Sequence, residues 1–315
     1  MIALTFILRR CVMLVLVLVA VSVLTFGIVN VLPGDVATAV LGDMASPEMV
    51  EAVRERMGLD RPLDARYLEW VGGVLHGDFG RSLQHGQPIA PMLLGRLGNS
   101  AILGLITLGI AAPLSIALGV LAALRPGHLL DRAISSFAVG AHAMPEYVIG
   151  LLAILCFSIW LPLLPGSSLM DPNENPLNRP EALVLPVGVL VIGMLAVISQ
   201  VTRAGMIQAL GSPYVRTATL KGLPRWKVVL KHALPNVLPP TVTEIGMYCG
   251  YVIGGLVVVE TLFSYAGLGQ MMTNAVSYRD IPTIQAGVLV VAAAYGIGNL
   301  LADVAALLLN PRLRG

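Results

Sequence analysis

Charge is what this 315-residue sequence has least of: 12% of its residues are Asp, Glu, Lys or Arg, while 56% are hydrophobic. Soluble domains carry about 25% charged residues, so this composition cannot clothe a water-facing surface of this size. It excludes an ordinary soluble globular protein and leaves an integral membrane protein. Cysteine is sparse too, with three in the chain, and Cys11, Cys156 and Cys249 all sit in apolar runs. An odd count inside a bilayer gives neither a disulfide framework nor a metal-ligand spacing. The thiols read as small buried hydrophobes.

Signatures of chemistry are missing as well. The sequence holds no GxxxxGK[ST] phosphate loop, no HExxH, and no Ser/His/Asp set that spacing brings together. The five histidines, His76, His85, His128, His142 and His232, are scattered, and no metal site is expected from them. The chain does not read as an enzyme, and neither a bound cofactor nor a nucleic-acid partner is expected. The first apolar run is too long for a signal-peptide core and lacks a small-residue cleavage site, so it reads as a retained span.

What is present is a series of long apolar runs. A span needs about 20 apolar residues, and six stretches qualify: Cys11–Leu32, Leu97–Leu124, Ala133–Leu161 with Pro145 inside it, Ala182–Thr202, Pro239–Glu260 and Ala286–Leu309. The expected fold is therefore an all-α polytopic membrane protein with six transmembrane helices. Between the first two spans, residues 35–95 are polar and carry helix signals: Ser46 to cap, Pro47 to start and Gly58 to end one helix. A second helical piece, DARYLEWVGGVLHG, follows, and then a turn-rich GDFGRSLQHGQPI. This reads as a small helical extracytoplasmic segment. The expected units are residues 1–95, a core of five helices over 96–309, and a cytoplasmic tail over 310–315.

Lys and Arg concentrate on the cytoplasmic side of membrane proteins. With both termini inside, twelve of the twenty fall in inner segments. Of the eight outer ones, six lie in the long first loop, which counts little, leaving Arg179 and Arg279 in the short outer loops. Both termini are expected to be cytoplasmic. Four acids, Glu146, Glu244, Glu260 and Asp303, fall inside spans, where an aspartate at a helix centre costs about 2.5 to 3.5 kcal/mol. They either line a polar pathway or sit near span ends and pair for packing. Glu146, Tyr147 and Glu260 are the candidate pathway residues.

One stretch departs from the rest: residues 203–235 carry Arg203, Arg216, Lys221, Arg225, Lys227 and Lys231 and no acidic residue. Taken alone it is a basic loop that sets topology. It also contains a short helix with marked ends. Ser212 suits the N-cap and Pro213 the first helical position, Gly222 can end the helix in the left-handed conformation, and Pro224 can begin another. So short a helix is unstable alone and must pack on something.

The spacing in this stretch resembles the cytoplasmic signature of ATP-binding-cassette importer permeases: Glu-Ala-Ala, three residues, Gly, nine residues, then Ile-x-Leu-Pro. Ala218, Gly222, Leu234 and Pro235 match; Arg216, Thr217 and His232 replace Glu, Ala and Ile. Those replacements are the form taken by the branch for dipeptides, oligopeptides and nickel, where Tyr-Val-Arg-Thr-Ala and Lys-Gly-Leu recur, as at Tyr214–Ala218 and Lys221–Leu223 here. The resemblance runs along the chain: Leu32–Asp35, Gly58–Leu63 with Tyr67, Gly77–Ser82, Met144–Tyr147, Glu260, Gly267–Gly269, Arg279–Asp280 with Pro282 and Gln285, Asn299–Leu301 with Asp303, and Asn310–Arg312. Tyr265-Ala266 stands where the family has Trp-Pro, and Gln200 where it has Arg.

The resemblance implies a type I importer permease fold in a bacterial cytoplasmic membrane. It implies a second permease subunit, as a heterodimer. It also implies two cytoplasmic ATPase subunits holding ATP and Mg, and an extracytoplasmic substrate-binding protein. Tyr214, Arg216, Thr217, Ala218, Lys221, Gly222, Leu234 and Pro235 would form the coupling loop, with Ala218 and Gly222 allowing close approach of the ATPase. Peptides are the implied cargo, with nickel, glutathione or opine-like solutes as alternatives. A stand-alone channel or secondary transporter is the competing class.

Overall fold

The computed structural model describes residues 2–31, 46–56, 60–170 and 174–309. These are almost entirely helical. Among the described residues the one β feature is an isolated bridge between Arg81 and Pro88.

Beyond Arg9 and Arg10, helix α1 (Ile2–Val31) is predominantly apolar with no polar face, as suits a helix among lipid. Its C-terminal end meets α3 (Leu63–Leu75) through Phe26, Tyr67 and Trp70, whose rings lie 5.4 to 6.3 Å apart, and through a 2.8 Å hydrogen bond between the Ser22 and Tyr67 hydroxyls. Helix α2 (Pro47–Arg56) starts as its sequence suggests, with Ser46 Oγ accepting from Met49 N at 3.3 Å. Gly58, the expected stop, lies outside the described residues, as do Leu32–Asp35 and the tail 310–315.

Helix α4 (Ile89–Ala123) begins eight residues before the expected Leu97, because no proline lies between Pro91 and Leu97 to interrupt it. The expected unit boundary at residue 95 therefore falls inside a helix. At 35 residues it reaches roughly 52 Å.

Two departures shape the rest. The third apolar run is not one helix. It is α5 (Leu129–Ala143) and α6 (Glu146–Ile154), bent by 104°. Pro145 supplies no N–H and disfavours helical backbone at the residue before it, and Met144 is accordingly extended, with ψ 131°. α6 runs on into a π-helical turn, Leu155–Trp160. The fourth helix, α7 (Val184–Leu210), overruns its expected end at Thr202 by eight residues and takes Arg203 with it, since no proline follows Thr202 until Pro213.

Helix α7 is the hub. It packs most extensively on α4, and also on α5, α6 and α9. The α4–α7 crossing is close because Gly119 has no side chain: a methyl there would lie 2.6 Å from the Ser199 carbonyl oxygen and 2.6 Å from Thr202 Cβ.

After α7 comes α8 (Pro213–Leu220), then a helical turn at Arg225–Lys227 and a π-helical turn at Val228–Ala233. These lead into α9 (Leu234–Leu262). The segment between the fifth and sixth apolar runs, which the sequence suggested was a loop, contains α10 (Leu268–Ser277), and α11 (Ile281–Leu309) follows. By length and composition α1, α4, α7 and α11 can each cross a membrane, and the bent pair α5–α6 would make a fifth span. The remaining expected span, Pro239–Glu260, lies within the 29-residue α9.

Candidate functional site

Helix α8 has the expected bounds but not the expected cap. Ser212 occupies the N-cap position ahead of Pro213, yet its hydroxyl donates back to the Ala209 carbonyl at 2.5 Å. It therefore closes the end of α7 rather than opening α8. The C-terminal signal holds: Gly222 follows with φ +76°, a left-handed conformation that suits glycine.

The helix divides into two faces. Val215 and Ala218 point inward, 4% and 6% exposed, and join a cluster with Met206, Val228, Val229 and Ala233. Ala218 thus packs inside this chain. Tyr214, Arg216, Thr217, Leu220, Lys221 and Gly222 are exposed. Leu220 is 79% exposed, and Trp226 just beyond it 57%. Pro235 is exposed and Leu234 half-buried at the start of α9. Behind α8 lies a cavity of about 420 Å³ lined by Leu124, Leu210, Val215, Leu223 and Arg225 among others. Arg225 crosses its rim to donate to the Leu124 carbonyl at 3.1 Å.

Above this base, Arg203 makes a two-point pair with Asp131. Nε faces Oδ1 and Nη2 donates to Oδ2 at 2.8 Å. Oδ2 also accepts from Gly127 N at 2.7 Å. Asp303 pairs with Arg10 at 3.0 Å, tying α11 to α1.

The two candidate pathway acids differ sharply. Glu260 is fully buried, and its oxygens are taken. One accepts from Ser100 Oγ at 2.5 Å, the other from Gly269 N at 2.6 Å and Gln270 N at 3.3 Å. It therefore caps α10, satisfying N–H groups that a helix start leaves open. Tyr265, fully buried beside it, donates to the Asn99 carbonyl at 2.7 Å. Burial, with Glu260 nearby, pushes its phenol above the ordinary range. Glu146 is half-buried in the first turn of α6, and no described residue gives it a hydrogen bond or an ion pair. Its carboxylate lies against glycines: a methyl at Gly255 of α9 would sit 2.5 Å from Oε2, and one at Gly193 of α7 3.4 Å from Oε1. Tyr147, next to it, is 53% exposed.

At the opposite end of the helical core from α8, Asp280 accepts from Ser82 Oγ at 2.5 Å, Leu83 N at 3.0 Å and Thr283 Oγ1 at 2.8 Å. The sequence reading missed this junction. Its only trace was the pair of motifs, Gly77–Ser82 and Arg279–Asp280, which nothing linked. Among the described residues no group of His, Cys, Asp and Glu could hold a metal ion.

Residues 115–315 match the model of the binding-protein-dependent transport system inner membrane component, and residues 3–114 match that family's N-terminal model. The chain belongs to this family. A probable peptide ABC transporter permease protein, y4tP, of Sinorhizobium fredii is 35% identical over 98% of this chain and 99% of that protein. The dipeptide transport system permease protein DppB of Escherichia coli is 34% identical over 99% of each. In fold, the chain is similar to the crystal structure of an amino acid ABC transporter with histidines, with a TM-score of 0.50 and 18% identity over 70% of this chain and 94% of that one. The inner-membrane component fold thus accounts for the layout: a helical core around α7, with a basic, partly apolar patch at one end.

Proposed function

We propose that this chain is the membrane-spanning permease subunit of an ATP-binding-cassette importer that carries small peptides across a bacterial cytoplasmic membrane. The observation that carries the reading is the full-length likeness to proteins named as peptide and dipeptide permeases. The exposed face of α8 supports it.

In this reading six spans cross the membrane with both termini in the cytoplasm. α8 and the turns after it form the coupling loop. Tyr214, Arg216, Thr217, Leu220, Lys221 and Trp226 meet an ATPase subunit, with the cations facing acidic groups on its rim. Gly222 sets the angle at which the chain leaves α8. Leu234 and Pro235 pass motion into α9, and the cavity behind α8 gives the helix room to rock. ATP and Mg belong to two such ATPase subunits, and a second, different permease subunit completes the pathway. A substrate-binding protein docks on the outer layer of α2, α3 and residues 76–88. Glu146 and Tyr147 line the pathway; Glu260 holds the outer end of α9 closed on α10 and α4. The two access states are shifted by partners that bind them unequally. Nickel, glutathione or opine-like solutes are the alternative cargoes on the same architecture.

The test is reconstitution. The full complex in proteoliposomes, with its binding protein outside and ATP within, takes up radiolabelled dialanine, and Gly222→Asp abolishes uptake and co-purification with the ATPase while leaving membrane insertion intact. Uptake by this chain alone, without ATP, would mean a channel or secondary transporter instead.

A further inference from the structure

The four acids inside the apolar runs sort by their partners. Asp303 has Arg10, and Glu260 has a helix start. Glu146 and Glu244 have none: no described residue gives either a hydrogen bond or an ion pair. Both are half-buried rather than sealed.

Their placement is coherent. Gly193 lies nine residues from the Val184 end of α7, and Gly255 seven from the Leu262 end of α9. At 1.5 Å per residue that sets the Glu146 carboxylate roughly 10 to 14 Å inside the outer ends of both helices. On α9, Glu244, Tyr248 and Gly255 are four and seven residues apart and so share one face. Tyr248 turns that face toward α7 by donating to the Gly193 carbonyl at 3.0 Å. On α7, Gln200 lies seven residues from Gly193, on the same face, and its Nε2 is buried with no partner. Two opposed helix faces therefore carry Glu244 and the unpaired Gln200 amide, and the Glu146 carboxylate of α6 is set against both of them at Gly193 and Gly255.

A charged group inside a membrane is expensive, and such groups pair or mark a substrate path. Among the described residues no side chain pairs with this carboxylate, and it reaches its place only because Gly255 and Gly193 have no side chains: a Cβ at Gly255 would lie 2.5 Å from Oε2. We propose that Glu146 is a cation subsite of the translocation pathway that receives the protonated amino terminus of the cargo. Glu244 is the next station along the same α9 face. This rests on the peptide-import reading above.

The experiment uses the complete complex in proteoliposomes, with saturating binding protein offered either dialanine or N-acetyl-dialanine. Uptake, binding-protein-stimulated ATP hydrolysis and yield of assembled complex are measured for wild type, Glu146→Gln, Glu146→Asp and Glu244→Gln. Glu146→Gln should lower dialanine uptake about tenfold to a hundredfold, the span of one hydrogen bond to a charged group. It should leave N-acetyl-dialanine uptake, ATP hydrolysis and yield unchanged. Glu146→Asp should retain most of the uptake, and Glu244→Gln should show the same preference more weakly. Equal loss for both peptides, or loss of yield in step with uptake, makes Glu146 a packing residue and overturns the proposal. So does unchanged dialanine uptake in Glu146→Gln. If wild type imports neither peptide, the peptide reading fails and takes this subsite with it.

Discussion

Arg203, seven residues before the end of α7, grips both oxygens of Asp131 at the start of α5. Asp131 in turn fixes the turn at Gly127, which follows directly from the end of α4. One carboxylate therefore ties three helices together, about two turns before the end of α7. In the function proposed above, this tie carries motion between α8 and α5. Asp131→Asn and Arg203→Met should each lower uptake more than ATP hydrolysis in the reconstituted complex. The double variant should be no worse than the poorer single, because both remove one interaction. Additive losses would show that the two residues act separately.

The fine conformation of Gly222 gives a second prediction. At φ +76° a β-branched residue is strained by about 1 to 3 kcal/mol, whereas asparagine tolerates the left-handed region. Gly222→Val should weaken co-purification with the ATPase subunit, and Gly222→Asn should retain most of it. Equal behaviour of the two variants would mean that backbone angle is not what the position supplies.

How much of this was legible beforehand depends on the kind of signal. The class, the apolar runs and the bounds of α8 follow from composition, Pro213 and Gly222, all local features. The break at Met144-Pro145 was marked by its proline, but a proline inside an apolar run kinks some helices and splits others. Only packing of α6 against α7 and α9 decides between them. Ser212 suited an N-cap by type, and the competing acceptor at Ala209, supplied by an unexpectedly long α7, drew its hydroxyl away. Glu260 and Glu146 looked alike as acids in apolar runs. What separates them is three-dimensional: Ser100 and the start of α10 close on one, while two glycines stand beside the other. Helix α10 itself was hidden because its ten residues are too few for a span and lack a proline or a polar N-cap to announce them.

The helix crossing at Gly119 can be tested against a control within the same helix. A methyl at Gly119 would meet backbone on α7 at 2.6 Å, whereas one at Gly109 meets nothing within 4 Å. Overpacking of this kind costs about 1 to 3 kcal/mol. Gly119→Ala should lower the thermal midpoint of the purified complex by several degrees, while Gly109→Ala leaves it unchanged. Matching midpoints would show that α4 and α7 can part without loss.

The Asp280 junction makes a prediction for the outer side. Ser82 and Leu83 hang the turn-rich segment 76–88 on the residue just before α11. Asp280→Ala leaves the Ser82 hydroxyl and the Leu83 N–H without acceptors, at about 1 to 3 kcal/mol for each buried group left unpaired. The segment should then become sensitive to added protease in right-side-out vesicles. The binding protein should dock less tightly, with the effect on docking read directly by titration of ATP hydrolysis against binding-protein concentration. Ser82→Ala removes one of the three hydrogen bonds to that carboxylate and should give a smaller change in the same direction. If Asp280→Ala raises protease sensitivity but leaves the titration midpoint where it was, the segment is held for stability alone and the docking face lies elsewhere on α2 or α3.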